Sequence, residues 1–288
     1  MIRVKGKEIF MINRPASGAQ TTLGELKDFL GQHRRLLIIS GAGVSTGSGI
    51  GDYRNLDGEW KRPQPVTHQA FMEQKAWRQR YWARSQLGFP SFMRARPNSA
   101  HRGLALLEQR GQAFALITQN VDGLHQRAGQ RQVIDLHGRL DEVICMSCSA
   151  SISREEVQGW LEEMNPHIQE QRFSVAPDGD ADLELDNSTI QVPECSRCQG
   201  ILKPNVVFYG ASVAPSVVEK AYGWVEASDA LLVVGTSLMV YSSFRFVRMA
   251  HRLGKPIIAL NRGKTRADDL YHLKLEMDCS QALDALLG

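Results

Sequence analysis

Short apolar runs alternate with amphipathic segments along most of the chain. Five runs have the length and the continuous apolar character of strands that are buried on both faces; they occupy residues 36–40, 113–118, 132–136, 230–235 and 256–260. Apolar residues at helical spacing occupy residues 22–33, 214–227 and 241–253. This alternation predicts βαβ units, and hence an α/β fold with a Rossmann-like, doubly wound parallel sheet.

Two regions interrupt the alternation. Residues 57–110 are rich in aromatic side chains but have no strand rhythm, which predicts a helical insertion. Residues 141–203 begin and end near cysteine pairs and have an aspartate-rich middle at 176–187, which predicts a small inserted module with an irregular loop. The expected organisation is a main domain of residues 1–140 and 204–288 that carries this module.

The module contains two Cys-x-x-Cys pairs, Cys145 with Cys148 and Cys195 with Cys198. Four thiolates from two such pairs suit a tetrahedral zinc ion whose positions are all filled by protein, so the metal is expected to be structural. Two unrelated redox pairs are the alternative. Cys279 belongs to neither pair and is expected to pack in the interior.

Composition and charge narrow the class of protein. Hydrophobic residues make up 43% and charged residues 23% of the 288 residues, which is typical of a globular protein and excludes a mostly disordered chain. The formal charge of +3 is dispersed along the sequence, so no specific nucleic-acid binding is expected, although the sequence does not exclude a local basic groove.

Two further features bear on location. The sequence has no run of about eighteen or more apolar residues, which predicts no membrane span, and residues 1–14 lack the apolar core of a secretory signal. We therefore predict a cytoplasmic protein, or one of the mitochondrial matrix if the source is a eukaryote, and we expect a monomer.

Candidate chemistry follows three predicted strands, at the sheet edge where open α/β sheets bind ligands. Gly41, Gly43 and Gly47 let backbone N–H groups approach a phosphate at a helix N-terminus, although Gly47 comes one residue late for Gly-x-Gly-x-x-Gly and a simple tight turn is the alternative. Residues 118–125 offer amides and a carboxylate, unless they form an ordinary loop. His137 is a candidate general base, because an imidazole titrates near neutrality; a structural histidine is the alternative.

Several short motifs occur in a particular order along the chain. They are Gly41-Ala42-Gly43-Val44-Ser45 with Ser48-Gly49-Ile50-Gly51-Asp52-Tyr53-Arg54, Gln119-Asn120-Val121-Asp122, His137-Gly138, the two cysteine pairs, Lys203-Pro204-Asn205-Val206-Val207-Phe208-Tyr209-Gly210, Gly235-Thr236-Ser237-Leu238 and Asn261-Arg262-Gly263. Over about residues 24–287 this ordered set resembles the sirtuins. Each motif is short, but the set in this order is specific to that family.

Finer features resemble the class II branch of the sirtuins, which includes the fourth mammalian sirtuin. They are Arg80-Tyr81-Trp82-Ala83-Arg84, Ala176-Pro177-Asp178-Gly179-Asp180 and Val240-Tyr241-Ser242, where many sirtuins have proline in the last position. Two residues depart from the family pattern. Gly51 stands where proline is usual, which predicts a looser cofactor loop, and Ala211 stands where an acidic residue is common.

The resemblance implies an NAD-dependent protein-lysine deacylase that transfers the acyl group to ADP-ribose and releases nicotinamide. In that reaction the acyl-lysine oxygen attacks the nicotinamide ribose carbon, and His137 then deprotonates a ribose hydroxyl. The implied catalytic residues are His137 and Asn120. The implied cofactor-binding residues are Gly41, Ala42, Gly43, Ser45, Asp52, Tyr53, Arg54, Gln119, Asn120, Asp122, Gly235, Thr236, Ser237, Asn261, Arg262, Gly263 and Cys279. NAD as co-substrate and one structural zinc ion are the implied cofactors.

The implied partners are acylated lysines of proteins or peptides, held in an extended conformation. The implied substrate-binding residues are Tyr81, Arg84, Val207, Phe208, Tyr209, Gly210, Leu238 and Val240. Tyr81 and Arg84 share one face of a predicted helix and resemble the pair with which some sirtuins grip the distal carboxylate of succinyl- or glutaryl-lysine. We therefore expect an acidic or branched, glutaryl-type acyl group in preference to acetyl.

Other functions remain as alternatives. Within the family they are protein mono-ADP-ribosyl transfer and lipoamidase activity. Outside it, the glycine turn alone would permit an NAD-dependent dehydrogenase, and the cysteine pairs alone would permit a zinc-ribbon module that binds nucleic acid.

Overall fold

The computed structural model describes residues 22–61, 65–168 and 189–287. In chain order the strands in these residues are β1 (Leu36–Ser40), β2 (Ala113–Thr118), β3 (Val133–Asp135), β4 (Gly138–Cys145), β5 (Ser151–Ser153), β6 (Leu202–Val206), β7 (Ala230–Val234), β8 (Ile257–Leu260) and β9 (Leu273–Leu275). The α-helices are α1 (Leu23–Gln32), α2 (His68–Glu73), α3 (Lys75–Arg94), α4 (Ser99–Gln109), α5 (Leu124–Arg127), α6 (Arg154–Met164), α7 (Pro215–Ala227), α8 (Tyr241–Arg252) and α9 (Cys279–Leu287).

Six strands form a large sheet in the order β3-β2-β1-β7-β8-β9, and every neighbouring pair is parallel. The chain reverses its direction of progress across the sheet between β1 and β7, as it does in Rossmann folds. The predicted fold class is therefore confirmed, and the five predicted strands differ from the observed ones by no more than one residue at either end. The edge strand β9 was not predicted.

The large sheet is buried on both faces, which explains why its strands are continuous apolar runs. In β1, Leu36 and Ile38 belong to the core on one face, and Leu37 and Ile39 to the core on the other. Helices α1, α4 and α9 contribute to the first core, and α7 and α8 to the second. Among the described helices none combines the length and the apolar character needed to cross a membrane.

A second, antiparallel sheet has the order β5-β4-β6. Its core includes Val143 and Leu202 from the sheet, Val157 from α6, and Phe71 and Trp82 from α2 and α3. The insertion predicted at residues 57–110 is thus helical. Its last helix, α4, packs on the large sheet and not on the small one. We keep the division into a main domain and a module as a proposal, with α4 assigned to the main domain.

Helix α6 was not predicted, because the cysteine pairs on either side indicated an irregular segment. The whole aspartate-rich stretch at residues 176–187, including the motif at 176–180, lies outside the described residues.

Candidate active site

The glycine loop after β1 touches the loop after β7. The N–H of Gly43 donates to the carbonyl of Gly235 at 2.8 Å, and a Cβ on Gly43 would lie 2.9 Å from that oxygen. Gly235 itself has a φ of +58°, which favours glycine. The glycine loop continues into two short 3-10 turns, Ala42–Val44 and Thr46–Ser48. The expected helix N-terminus is therefore not present at this point, because the turns replace it.

The polar residues after β2 form hydrogen bonds that join the neighbouring loops. Gln119 Nε2 donates to Thr236 Oγ1 at 2.7 Å, and Asn120 Nδ2 donates to Ser45 Oγ at 3.0 Å. Ser45 Oγ donates in turn to Asp122 Oδ2 at 2.6 Å. Burial raises the pKa of Asp122, and the hydrogen bond from Ser45 opposes that rise. The network holds the Asn120 amide at the carboxyl edge of the sheet.

A first cleft runs along this edge and contains most of the predicted cofactor-binding residues. Its predicted lining residues are Ala42, Gly43, Asp52, Tyr53, Arg54, Gln119, Asn120, Gly235, Thr236, Ser237, Asn261, Arg262 and Cys279. Four predicted residues do not line it, namely Gly41, Ser45, Asp122 and Gly263. Ser45 is only 1% exposed, and a Cβ on Gly263 would lie 2.4 Å from the carbonyl oxygen of Leu56. These four residues form hydrogen bonds that connect directly or through one another to the lining residues Asn120 and Asn261.

Sequence reasoning missed part of the same wall. The unpredicted lining residues are Thr46, Asn55, Leu56, Lys61, Met239, Lys264, Met277 and Asp278. Half of them, namely Thr46, Asn55, Met239 and Lys264, directly adjoin a motif, so a wider reading around each motif would have found these four. Lys61 is an exception, and its ammonium lies 2.5 Å from the carboxylate of Asp52.

Cys279 is buried, as expected for interior packing, and also borders the first cleft. Burial raises the pKa of its thiol to about 12, so the group is neutral at pH 7.

A second cleft opens beside the first and contains the predicted peptide-binding edges. Val207, Phe208, Tyr209 and Gly210 line it from one side, and Val240 also lines it. Leu238 does not line it, since its side chain lies in the core of the large sheet and its φ is +54°. Leu238 is therefore not placed for the expected contact with the substrate. It lies in a turn that directs its side chain into the core.

His137 lines both clefts. Its Nδ1 lies 3.1 Å from the carbonyl oxygen of Gln119, and because a carbonyl can only accept, Nδ1 carries the ring proton. Nε2 therefore has the lone pair, which accepts a hydrogen bond of 2.8 Å from the hydroxyl of Ser242. Burial lowers the pKa of His137 to about 4, below the near-neutral value expected from the sequence, so the imidazole is neutral at pH 7. Ser242 was not predicted as a site residue.

Tyr81 and Arg84 both lie on α3, as predicted, but in different surroundings. Tyr81 is 3% exposed, with its ring 5.5 Å from that of Phe71 and 5.3 Å from that of Phe208. It lines a small apolar pocket together with Val66, Phe208 and six other residues. Arg84 is partly exposed and is not among the described residues that line this pocket.

The four cysteines of the module converge on one point. Their Sγ atoms all lie within 4.8 Å of one another. Cys145 and Cys198 are 3.5 Å apart, and Cys148 and Cys195 are 3.7 Å apart. Sulfurs bound tetrahedrally at the usual Zn–S length would be about 3.8 Å apart. The four thiols could therefore hold one zinc ion with no position left for water.

The backbone around the cysteines is shaped for this arrangement. Each pair sits in a tight turn, closed by Ser149 N–H to the Cys145 carbonyl at 3.0 Å and by Gln199 N–H to the Cys195 carbonyl at 2.8 Å. A Cβ on Gly200 would lie 2.9 Å from Cys145 Sγ, so the close approach of the second turn requires glycine. The predicted metal site thus has both its ligands and its supporting turns.

Comparisons with known proteins agree with the geometry. A family model described as the Sir2 family matches residues 41–242. An NAD-dependent protein deacetylase of Xanthomonas campestris is 58% identical over 261 residues, which cover 90% of this chain and 88% of that protein. NAD-dependent protein deacetylase 2 of Bradyrhizobium diazoefficiens is 54% identical over 272 residues, which cover 94% of this chain and 100% of that protein.

Solved structures show the same likeness. A structure named Sir2-p53 peptide-NAD+ superposes with a TM-score of 0.77 at 30% identity and covers 93% of this chain and 98% of that one. Another, named Sir2 bound to acetylated peptide, has a TM-score of 0.76 at 30% identity, with the same two coverages of 93% and 98%. The resemblance seen in the ordered motifs is confirmed, and the chain belongs to the Sir2 family, the sirtuins.

Proposed function

We propose that this sirtuin is an NAD-dependent protein-lysine deacetylase. The observation that carries the proposal is the position of His137, which lines both the cleft with the cofactor motifs and the cleft with the peptide-edge motifs. A neutral imidazole at that junction can serve a reaction between two substrates that enter from different sides. The names of the bacterial relatives support the same activity.

The first cleft is the proposed place of NAD. Ala42, Gly43 and Arg54 would meet its pyrophosphate, and Asn120 would meet the carboxamide of its nicotinamide. Arg54 is preorganised for such a role, because its Nη1 donates to the Gly58 carbonyl at 2.7 Å and its guanidinium carbon lies 4.3 Å from the centre of the Trp60 ring. Thr236, Ser237 and Asn261 are the proposed contacts on the adenosine side.

NAD supplies the ribose carbon that the acyl oxygen attacks as nicotinamide leaves. His137 then has one task, which is to remove a proton from a ribose hydroxyl. Its Nδ1–H bond to Gln119 keeps the lone pair on Nε2, and its lowered pKa keeps that lone pair available at neutral pH. Asn120 would hold the nicotinamide end, and Asp122 would act behind it, because Ser45 links the Asn120 amide to the Asp122 carboxylate.

The second cleft is the proposed place of the acyl-lysine peptide. Residues 207–210 and Val240 would border an extended chain, whose backbone hydrogen bonds give affinity with little sequence preference. The adjoining apolar pocket, which Tyr81 and Phe208 line, would receive the acyl group.

A single experiment tests the proposed activity. The protein is incubated with NAD and an acetyl-lysine peptide, and the products are identified by mass. Deacetylated peptide, nicotinamide and O-acetyl-ADP-ribose in equal amounts support the proposal. Attachment of ADP-ribose to protein would favour mono-ADP-ribosyl transfer, release of lipoate from a lipoyl-lysine peptide alone would favour a lipoamidase, and NADH absorbance would indicate a dehydrogenase.

Ser242 is proposed as a positioning residue for His137. Its hydroxyl donates to Nε2 of the neutral ring, and because a hydroxyl can also accept, it can take a hydrogen bond from Nε2–H once the ring is protonated. The same partner thus holds the ring before and after proton transfer. Many sirtuins have a proline here, which offers no such group.

Ser242→Ala is expected to lower the kcat for deacetylation by about two- to tenfold, since one neutral hydrogen bond contributes about 0.5 to 1.5 kcal/mol. The KM for NAD and the exchange of labelled nicotinamide into NAD should stay unchanged, because the base acts after nicotinamide leaves. Ser242→Thr keeps the hydroxyl and should restore the rate. Equal losses in exchange and deacetylation would indicate a structural role instead.

We also propose, from the sequence, that Tyr81 and Arg84 favour an acidic, glutaryl-type acyl group. Support comes from Tyr81, which lines the apolar pocket, and from its spacing to Arg84 on α3. The proposal requires the guanidinium of Arg84 to reach the pocket when an acidic acyl group is bound, because a guanidinium pairs with a carboxylate through two hydrogen bonds.

Arg84→Met should therefore reduce kcat/KM on glutaryl-peptide far more than on acetyl-peptide. A charge-assisted hydrogen bond contributes about 1.5 to 3 kcal/mol, which corresponds to a difference of about 10- to 150-fold. Arg94→Met, an exposed change in the last turn of the same helix, is the matched control. Equal losses on both peptides would make Arg84 structural and would move the search to the segment at 165–187.

Several finer assignments remain proposals. Residues 80–84 and 240–242 support membership of the class II branch, whereas the third motif of that branch lies outside the described residues. A monomeric state, a cytoplasmic location and the lack of specific nucleic-acid binding stay predictions from the sequence.

A further inference from the structure

Three arginines surround Tyr241 at the peptide cleft. Tyr241 begins α8, lines the cleft and is 48% exposed. The guanidinium carbons of Arg245, Arg248 and Arg266 lie 5.4, 6.0 and 5.7 Å from the centre of its ring. We call these three residues the arginine group. Their shared ring contact brings three positive charges to one place beside the peptide cleft.

The charges of the arginine group are not neutralised within the described residues. The ion pairs found there involve other cations, and none includes a member of the group. Arg248 donates to the Tyr241 hydroxyl at 3.3 Å, and Arg266 donates to the Met239 carbonyl at 3.1 Å, both neutral acceptors. Nε of Arg245 is buried and has no hydrogen-bond partner. A buried guanidinium donor without an acceptor is uncommon in folded proteins and is satisfied by water or by a ligand group.

The cleft itself has no opposing charge. Of the described residues that line it, Arg245 is the only Lys, Arg, Asp or Glu. Ala211, which occupies the place of a common acidic residue in the family, also lines it. The charge that the described lining presents to a ligand is therefore positive, and low-dielectric walls strengthen its effect.

We propose that the arginine group selects substrates in which acidic residues flank the acyl-lysine. The inference rests on the proposed function, because it concerns a peptide in the same cleft. A carboxylate meets a guanidinium through two charge-assisted hydrogen bonds, which a neutral side chain cannot reproduce. The two members that donate to Tyr241 and Met239 are partly structural, so Arg245 makes the main contact.

The experiment uses three acetyl-lysine peptides that differ only in their flanking residues, which are Glu, Ala or Lys on both sides. Initial rates with NAD are measured for the parent protein, for Arg245→Gln and for Arg252→Gln. Arg252 is exposed in the last turn of the same helix, does not line the cleft and loses the same charge, so it is the matched control. Binding of the three peptides is followed in parallel by fluorescence anisotropy.

The parent should prefer the Glu peptide over the Ala peptide by about three- to tenfold in kcat/KM, mostly through KM, since a flanking contact is made equally before and during the reaction. Arg245→Gln should lose this preference, while Arg252→Gln should keep it. The Lys peptide should be the poorest substrate of the parent, and the preference should weaken as salt rises.

Two results would overturn the inference. One is a parent that treats the three peptides alike, and the other is an Arg245→Gln variant that loses activity equally on all of them. Steep salt-dependent binding of a DNA duplex without peptide selectivity would assign the group to nucleic acid. If no peptide is deacetylated, the proposed function fails, yet the anisotropy data still decide whether Arg245 selects acidic peptides.

Discussion

Replacement of His137 by alanine is expected to lower the kcat/KM for an acetyl-lysine peptide by about 10²- to 10⁴-fold, the usual effect of removing a general base. The imidazole is held by Gln119 and Ser242, neutral at pH 7 and placed where the two clefts meet. NAD affinity should stay largely intact, because the base acts on a cofactor that is already bound. Initial rates by mass and NAD binding by calorimetry check both statements.

The control for this variant is His251→Ala. His251 is exposed in the last turn of α8 and lines neither cleft, so its loss should leave the rate unchanged. Exchange of labelled nicotinamide should persist in His137→Ala, since that step precedes the action of the base. Deacetylation within about threefold of the parent would remove His137 from the role of general base.

Removal of one zinc ligand is the second change for which we expect a large effect, in this case on folding. We expect one zinc ion per chain, and Cys198→Ser should abolish stoichiometric zinc binding. Structural zinc sites contribute about 10 kcal/mol or more to folding, which is comparable to the whole stability of a domain, so the module should unfold. Metal analysis and the loss of protection of β4 and β6 in hydrogen exchange measure this result.

Ser196→Ala provides the comparison for the zinc experiment. Ser196 is exposed between the two cysteines of the second pair, and its loss leaves all four thiols in place. This variant should keep its zinc and its melting temperature. A parent preparation that deacetylates peptides yet contains no zinc would contradict the assignment.

The large sheet could be predicted from the sequence with good accuracy. Strands β1, β2, β7 and β8 are buried on both faces, so almost every position is apolar and the run stands out from its surroundings. Strand β9 (Leu273–Leu275) escaped detection because a polar lysine separates its two leucines, so it contains no continuous apolar run. A single apolar-polar-apolar alternation does not distinguish a strand from a loop.

The candidate site was predictable where a motif is local. The two Cys-x-x-Cys pairs carry their own ligand geometry, and the glycines of the loop after β1 indicate a close backbone approach without reference to the rest of the fold. Leu238 shows where this reasoning stops. It stands within a motif, but the positive φ at that position turns its side chain into the core.

The sequence by itself determined the fold class and five strands of the large sheet, and it predicted the four zinc ligands and the role of His137, because each depends on residues close together in the chain. Only the tertiary structure placed Ser242 against Nε2 of His137, across 105 positions of sequence, and brought Arg266 to the ring of Tyr241. Such contacts depend on which strands are neighbours. The order β2-β1-β7 brings the loops after these strands to one edge, and no local pattern of apolar and polar residues specifies that order.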